Sequence, residues 1–151
     1  MKVTSKKAVK ACNREATHRT VPFMTDHLTT VTEYLAAVAA HDSDRLRAVL
    51  HPEAEFRNGP NVAAGREAFV GAFETVYPAV DRNEVRHIFV DGDAACAVYD
   101  FVTPTSVGAV LSMELLAFKD DLIASSVLLF DLRRWPEVLA EVKARATASA
   151  D

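Results

Sequence analysis

Between Glu84 and Asp131 the chain reads EVRHIFVDGDAACAVYDFVTPTSVGAVLSMELLAFKDDLIASSVLLFD. Its apolar residues recur with a period of two, the spacing of a pleated strand. Val85, His87 and Phe89 fall on one face of a first strand. Asp91-Gly92 is a hairpin signal, and a second strand follows over Ala94–Thr103. Pro104-Thr105-Ser106 breaks the run, a third strand occupies about Ala109–Phe118, and Lys119-Asp120-Asp121 turns it back into Leu122–Asp131. The stretch therefore predicts an antiparallel meander. Its last three strands are apolar on both faces, whereas an antiparallel sheet commonly leaves one face wet. Helices can cover one face. A second copy of the chain is the simplest cover for the other, which predicts a homodimer.

Upstream the period changes to that of a helix. Leu28, Val31, Leu35 and Val38 make a stripe, with Tyr34 on the same side. Asp42 is placed to cap a second helix, whose buried stripe is Leu46, Val49 and Leu50 and which ends at His51-Pro52. A short strand follows, with Ala54, Phe56 and Asn58 on one face and Glu55 and Arg57 on the other, until Gly59-Pro60-Asn61 breaks it. A third helix begins after Gly65, carries Phe69, Ala72, Phe73 and Val76, and stops at Pro78. Downstream of the meander, Trp135-Pro136 opens a last helix to about Thr147. Helices and strands are segregated along the chain, the pattern of an α+β domain.

The 151 residues fit one domain, read as 25–147, with a short tail at 148–151. Charge is uneven. Met1–Met24 carries six basic residues against Glu15 alone, a surplus of five, and with −4 for the whole chain the remainder stands at −9. Residues 1–24 read as a basic, flexible extension. The acidic balance of the rest gives no footprint for nucleic acid, and no apolar stretch approaches the roughly 20 residues that span a bilayer. Cys12 and Cys96 are single and far apart, and the five histidines form no metal motif, so the residues imply neither a disulfide framework nor a metal or cofactor. A reducing cytoplasm is the default compartment.

Four polar residues interrupt apolar surroundings. Asp100 shares a strand face with Cys96, Val98 and Val102, and Glu114 one with Val110, Leu116 and Phe118. A carboxylate there is costly unless partnered, and perturbed carboxylates cluster at sites. A rim ion pair is the rival role for Asp100, and an interface salt bridge for Glu114. Tyr34 lies on a buried helix stripe, as a core tyrosine or one aimed into a pocket. Asn58 either orients a carbonyl or water, or initiates its turn. His87, between Val85 and Phe89, is a satisfied core histidine or a pocket-lining one.

The segments Val31–Gly59 (VTEYLAAVAAHDSDRLRAVLHPEAEFRNG), Ala63–Phe73 (AAGREAFVGAF), Val90–Phe101 (VDGDAACAVYDF) and Leu128–Trp135 (LLFDLRRW) together resemble the nuclear transport factor 2-like superfamily and its SnoaL-like domains, over about Asp26–Val142. The resemblance implies a cone-shaped fold, a curved antiparallel sheet packed with the N-terminal helices around a pocket. Ketosteroid isomerases are similar from the first helix onward. Their oxyanion-binding tyrosine falls on Tyr34, their protonated acid on Glu114 and their base on Asn58, where an amide cannot carry a proton. Limonene epoxide hydrolases match at Asn58 and Asp100, but Val98, Phe56 and Leu128 stand where that family has an arginine, a tyrosine and a second aspartate.

The implied function is cofactor-independent proton transfer, an isomerisation, cyclisation or dehydration, on a small apolar carbonyl or cyclic compound. Asp100 would carry the proton, Tyr34 and Glu114 would hold an oxyanion, and Asn58 would orient substrate or water. Phe56, Phe73, His87, Val98 and Leu128 would line the pocket. The alternatives are a binding domain without catalysis, a dimerisation module, and an epoxide hydrolase-like hydrolase.

Overall fold

A computed structural model describes residues 26–149 of the chain. The elements are α1 (His27–Ala39), α2 (Ser43–Val49), β1 (Leu50–Asn58), β2 (Asn61–Ala64), α3 (Arg66–Val76), a 3-10 turn (Tyr77–Ala79), β3 (Arg82–Asp91), β4 (Ala94–Val102), β5 (Ala109–Lys119), β6 (Leu122–Phe130) and α4 (Trp135–Ala148). The basic segment Met1–Met24 lies outside the described residues. Among the described residues, no helix is long and apolar enough to cross a membrane.

Local chemistry sets the helix boundaries. Asp26 caps α1 by accepting from Leu28 N at 3.2 Å, and Asp42 caps α2 by accepting from Arg45 N at 3.0 Å. Val31, Tyr34, Leu35 and Val38 are buried as their spacing demands, while Leu28, at the first turn, is exposed. Leu50 is buried too, but as the first residue of β1 rather than the last of a helix stripe. Gly59, in the left-handed region at φ 56°, turns β1 into a four-residue partner. That partner is β2, paired antiparallel from Glu55↔Ala64 to Asn58↔Asn61. The sequence had shown only a break there.

The α+β class holds, but the cone of curved antiparallel strands does not. The strand order is β2-β1-β6-β5-β4-β3. Most neighbours are antiparallel, yet β1 runs parallel to β6, with Phe56 opposite Ser126 and Asn58 opposite Leu128. The six-stranded sheet is therefore mixed. It is open, with β2 and β3 as its two edges, and it is neither closed nor strongly curved. Local hydropathy reports which face of a strand is apolar and not which strand lies beside it, so a pattern that fits a meander also fits a mixed sheet.

Helices α1 and α3 cover one face of this sheet, α1 over β3 and β4 and α3 over β1 and β2. The core lies between. It draws on Tyr34 and Leu35 from α1, Phe69 and Phe73 from α3, and Ala97, Tyr99, Leu116 and Ile123 from the inner sheet face. Among the described residues, no helix lies over the outer face. Phe89, Leu111, Met113, Leu115 and Leu129 stand there between 46 % and 61 % exposed.

The pairing assigns every strand residue to a face. Asp100 sits opposite Leu111 and Ala97 opposite Glu114, so Asp100 belongs to the outer face and Glu114 to the inner. On β3 the register shifts between Val85 and His87. Val85 lies opposite inward-facing Tyr99 and His87 opposite outward-facing Val98, so a bulge at Arg86 separates two residues that strict alternation had put together.

Candidate functional site

A cleft of about 430 Å³, including its open mouth, lies over the inner face where β1, α3 and β6 meet the start of α4. Its wall is Phe56 and Asn58 from β1, Ala72, Phe73 and Val76 from α3, Phe101 from β4, Leu128 and Phe130 from β6, and Trp135 from α4. None of these residues is ionisable. The polar groups are the amide of half-buried Asn58 and the indole N–H of Trp135. The rings are mutually ordered: Phe56 and Phe73 are tilted at 4.9 Å, and Trp135 meets Phe130 edge-on at 4.9 Å and Phe101 at 5.7 Å. Such a wall removes apolar surface from water and offers one end of a ligand a hydrogen bond.

Behind this wall lies a closed polar cluster. Glu114, fully buried, accepts from Tyr34 Oη at 2.6 Å, from Tyr99 Oη at 3.0 Å and from Ser126 Oγ. Burial pushes the Glu114 carboxyl above the usual range, against the pull of its three hydroxyl donors. Burial and the adjacent Glu114 raise the Tyr34 and Tyr99 phenols well above theirs. The four residues come from α1, β4, β5 and β6, so the cluster joins the helix layer to three strands. It is one side chain from the cleft: Phe73 meets Tyr34 edge-on at 6.0 Å, and Leu128 is the cross-strand neighbour of Glu114. The Tyr34 hydroxyl is occupied by Glu114 and is not a free donor to the cleft.

The structure thus brings Phe56, Asn58, Phe73 and Leu128 to the cleft and joins Tyr34 to Glu114 beneath it. It places Asp100, Val98 and His87 on the outer sheet face. There Asp100 accepts from Arg86 Nε at 2.7 Å and from Arg86 Nη2 at 2.9 Å, a bidentate pair presented by the β3 bulge. Sequence reasoning missed Tyr99 and Ser126 in the cluster and Phe101, Phe130 and Trp135 in the wall. Ala97, Tyr99 and Phe101 share one face of β4, but both faces of that strand are apolar, and only the pairing shows which one turns inward. Ser126 sits in a run with no polar rhythm, and only the register identifies it. Among the described residues, no group of three or more histidines, cysteines or acids is placed to hold a metal.

The model of the SnoaL-like domain family matches residues 31–126, a span running from the middle of α1 to Ser126 and taking in all four cluster residues. The chain belongs to that family. The SnoaL-like match takes in most of α1, all of α2, α3 and β1 to β5, and the first part of β6, and stops before α4. Solved structures of the same fold include a nuclear transport factor 2-like protein from Cytophaga hutchinsonii, 17% identical, with TM-score 0.64 over 76% of this chain and 98% of that one. A protein from Kribbella flavida is 20% identical, with TM-score 0.69 over 78% and 96%. TerC, co-crystallised with polyporic acid, is 12% identical, with TM-score 0.66 over 76% and 98%. No curated protein matches the chain.

Proposed function

We propose that this SnoaL-like domain binds a small, mostly apolar cyclic or carbonyl compound in the cleft, with the Asn58 amide as its polar anchor. The observation that carries the reading is the wall itself: five aromatic rings, no ionisable side chain and one amide around one concave space. The neighbour TerC was crystallised with a small molecule, polyporic acid, which is in keeping with a ligand-binding role. Trp135 is the sole tryptophan of the chain and belongs to the wall, so the site carries its own reporter. Titration with neutral cyclic ketones and with the apolar fluorophore N-phenyl-1-naphthylamine is expected to quench Trp135 saturably. Asn58→Leu is expected to weaken ketone binding about tenfold by leaving the carbonyl unpaired. Asp100→Asn, on the outer face, is expected to leave it unchanged. A Trp135 emission indifferent to every such compound would sink the reading.

Proton transfer on such a compound is the second reading. It is favoured by a carboxyl of raised proton affinity one side chain behind the cleft. In this reading Glu114 holds the proton behind the wall. Turnover of a bound ketone lost in Glu114→Gln with binding intact would separate it from simple binding.

The outer face supports a homodimer. Leu111, Met113, Leu115 and Leu129 adjoin across β5 and β6, an apolar area that a second copy would remove from water. The wild-type chain is expected to run as a dimer by light scattering and Leu115→Arg as a monomer with the same circular dichroism. A monomeric wild type at micromolar concentration would overturn this.

A further inference from the structure

α4 touches the body along one narrow stripe. Of its fourteen residues Val138 alone is buried, Trp135, Glu141 and Val142 are half-buried, and the other ten are exposed. α1 buries seven of thirteen. Among the described residues, the polar fastenings of α4 to the body go to a single loop, Thr103–Gly108 between β4 and β5. The Glu141 carboxylate accepts from Ser106 N at 3.0 Å and from Ser106 Oγ, and Arg145 Nη1 donates to the Pro104 carbonyl. The connection from β6, residues 131–134, is stiffened internally by the Asp131–Arg133 pair at 2.7 Å, which ties the turn to itself and not to the sheet. A helix held by so little apolar contact opens before the core does. Trp135, its first residue, is also a wall of the cleft, so displacing α4 uncovers the site.

We propose that α4 is a hinged cover, latched to the β4–β5 loop through Ser106–Glu141 and Arg145–Pro104, whose opening admits and releases the cleft's ligand. The gating role rests on the ligand reading above. The movement does not.

Glu141→Ala breaks the Ser106 latch at a half-buried helix position where alanine favours the helix. Lys143→Ala, on the exposed side of the same helix, is the control. By hydrogen exchange, α4 amides are expected to exchange faster than those of β5 in the wild type. In Glu141→Ala they are expected to exchange about tenfold faster again, with β5 unchanged, as two charge-assisted bonds are lost. Acrylamide quenching of Trp135 is expected to rise in the same variant and not in Lys143→Ala. With N-phenyl-1-naphthylamine in stopped flow, association and dissociation are both expected to accelerate while Kd holds.

Exchange of α4 that matches the wild type, or that rises only in step with β5, overturns the cover. Faster α4 exchange with unchanged probe kinetics overturns the gating. A probe that does not bind at all sinks the ligand reading and the gating with it, and α4 exchange still decides the cover.

Discussion

Truncating Glu114 to alanine is expected to lower the unfolding free energy by about 4 kcal/mol. The change leaves three buried hydroxyls, of Tyr34, Tyr99 and Ser126, without their common partner and opens a void between α1 and the sheet. Each unsatisfied group costs about 1–3 kcal/mol, although the hydroxyls can regain part of this by pairing with one another. On a total of about 5–15 kcal/mol the loss is large. Urea denaturation followed by circular dichroism measures it. A loss under about 1 kcal/mol would mean that the cluster does not join α1 to the strands.

The same residue sets a pH dependence with a definite sign. Burial holds the folded carboxyl above its unfolded value. The fold therefore binds a proton that the unfolded chain has released, and stability falls as pH rises between the two values. The contribution is whole below the unfolded range, near about pH 4, and is lost as pH passes through the raised folded value. Glu114→Gln removes the titration while keeping an acceptor for the hydroxyls. The stability of wild type minus that of Glu114→Gln should decline as pH rises from about 4 through the raised folded value. A flat difference would contradict the raised carboxyl.

Phe69→Ala is expected to cost about 4 kcal/mol and to deepen the cleft. Phe69 is fully buried and packs against Phe56 at 5.2 Å, Phe73 at 5.6 Å and Tyr34 at 6.2 Å. Two of these three neighbours line the cleft and the third belongs to the cluster, so the ring backs the wall and the space it leaves adjoins the site. Apolar probes too large for the wild type should quench Trp135 in the variant. A cost below about 2 kcal/mol, with no change in probe size, would show that α3 settles inward and fills the gap.

The elements that position the site were legible because each depends on a local signal. Asp26 and Asp42 cap the helices that follow them, and Tyr34 lies on the α1 stripe. Glu114 breaks an apolar run so sharply that burial with a partner was the natural expectation. What could not be read was relation between strands. Asp100 and Glu114 are both even-numbered, but even residues of β4 pair with odd residues of β5, so the two acids face opposite ways. One added residue at Arg86 shifts β3 between Val85 and His87, and no hydropathy pattern carries that bulge. The parallel β1–β6 pair was hidden for the same reason: its two strands lie some seventy residues apart, and nothing in either one names the other. The cleft inherits this limit. Phe56 and Leu128 face one space only because of that pairing.

That parallel pair also bears on how the chain acquires its fold. β6, the last strand in sequence, lies inside the sheet, between β1 and β5. Until β6 is in place, the β1–β2 hairpin with α3 and the β3–β5 meander are two pieces that each expose an unpaired strand edge. Contacts of such long sequence separation are closed late and at an entropic cost. During synthesis the β1 edge would wait unpaired while the following strands are made, an interval in which an emerging chain is open to aggregation. Joining the two halves is thus the committing step of folding, and it is also the step that creates the cleft.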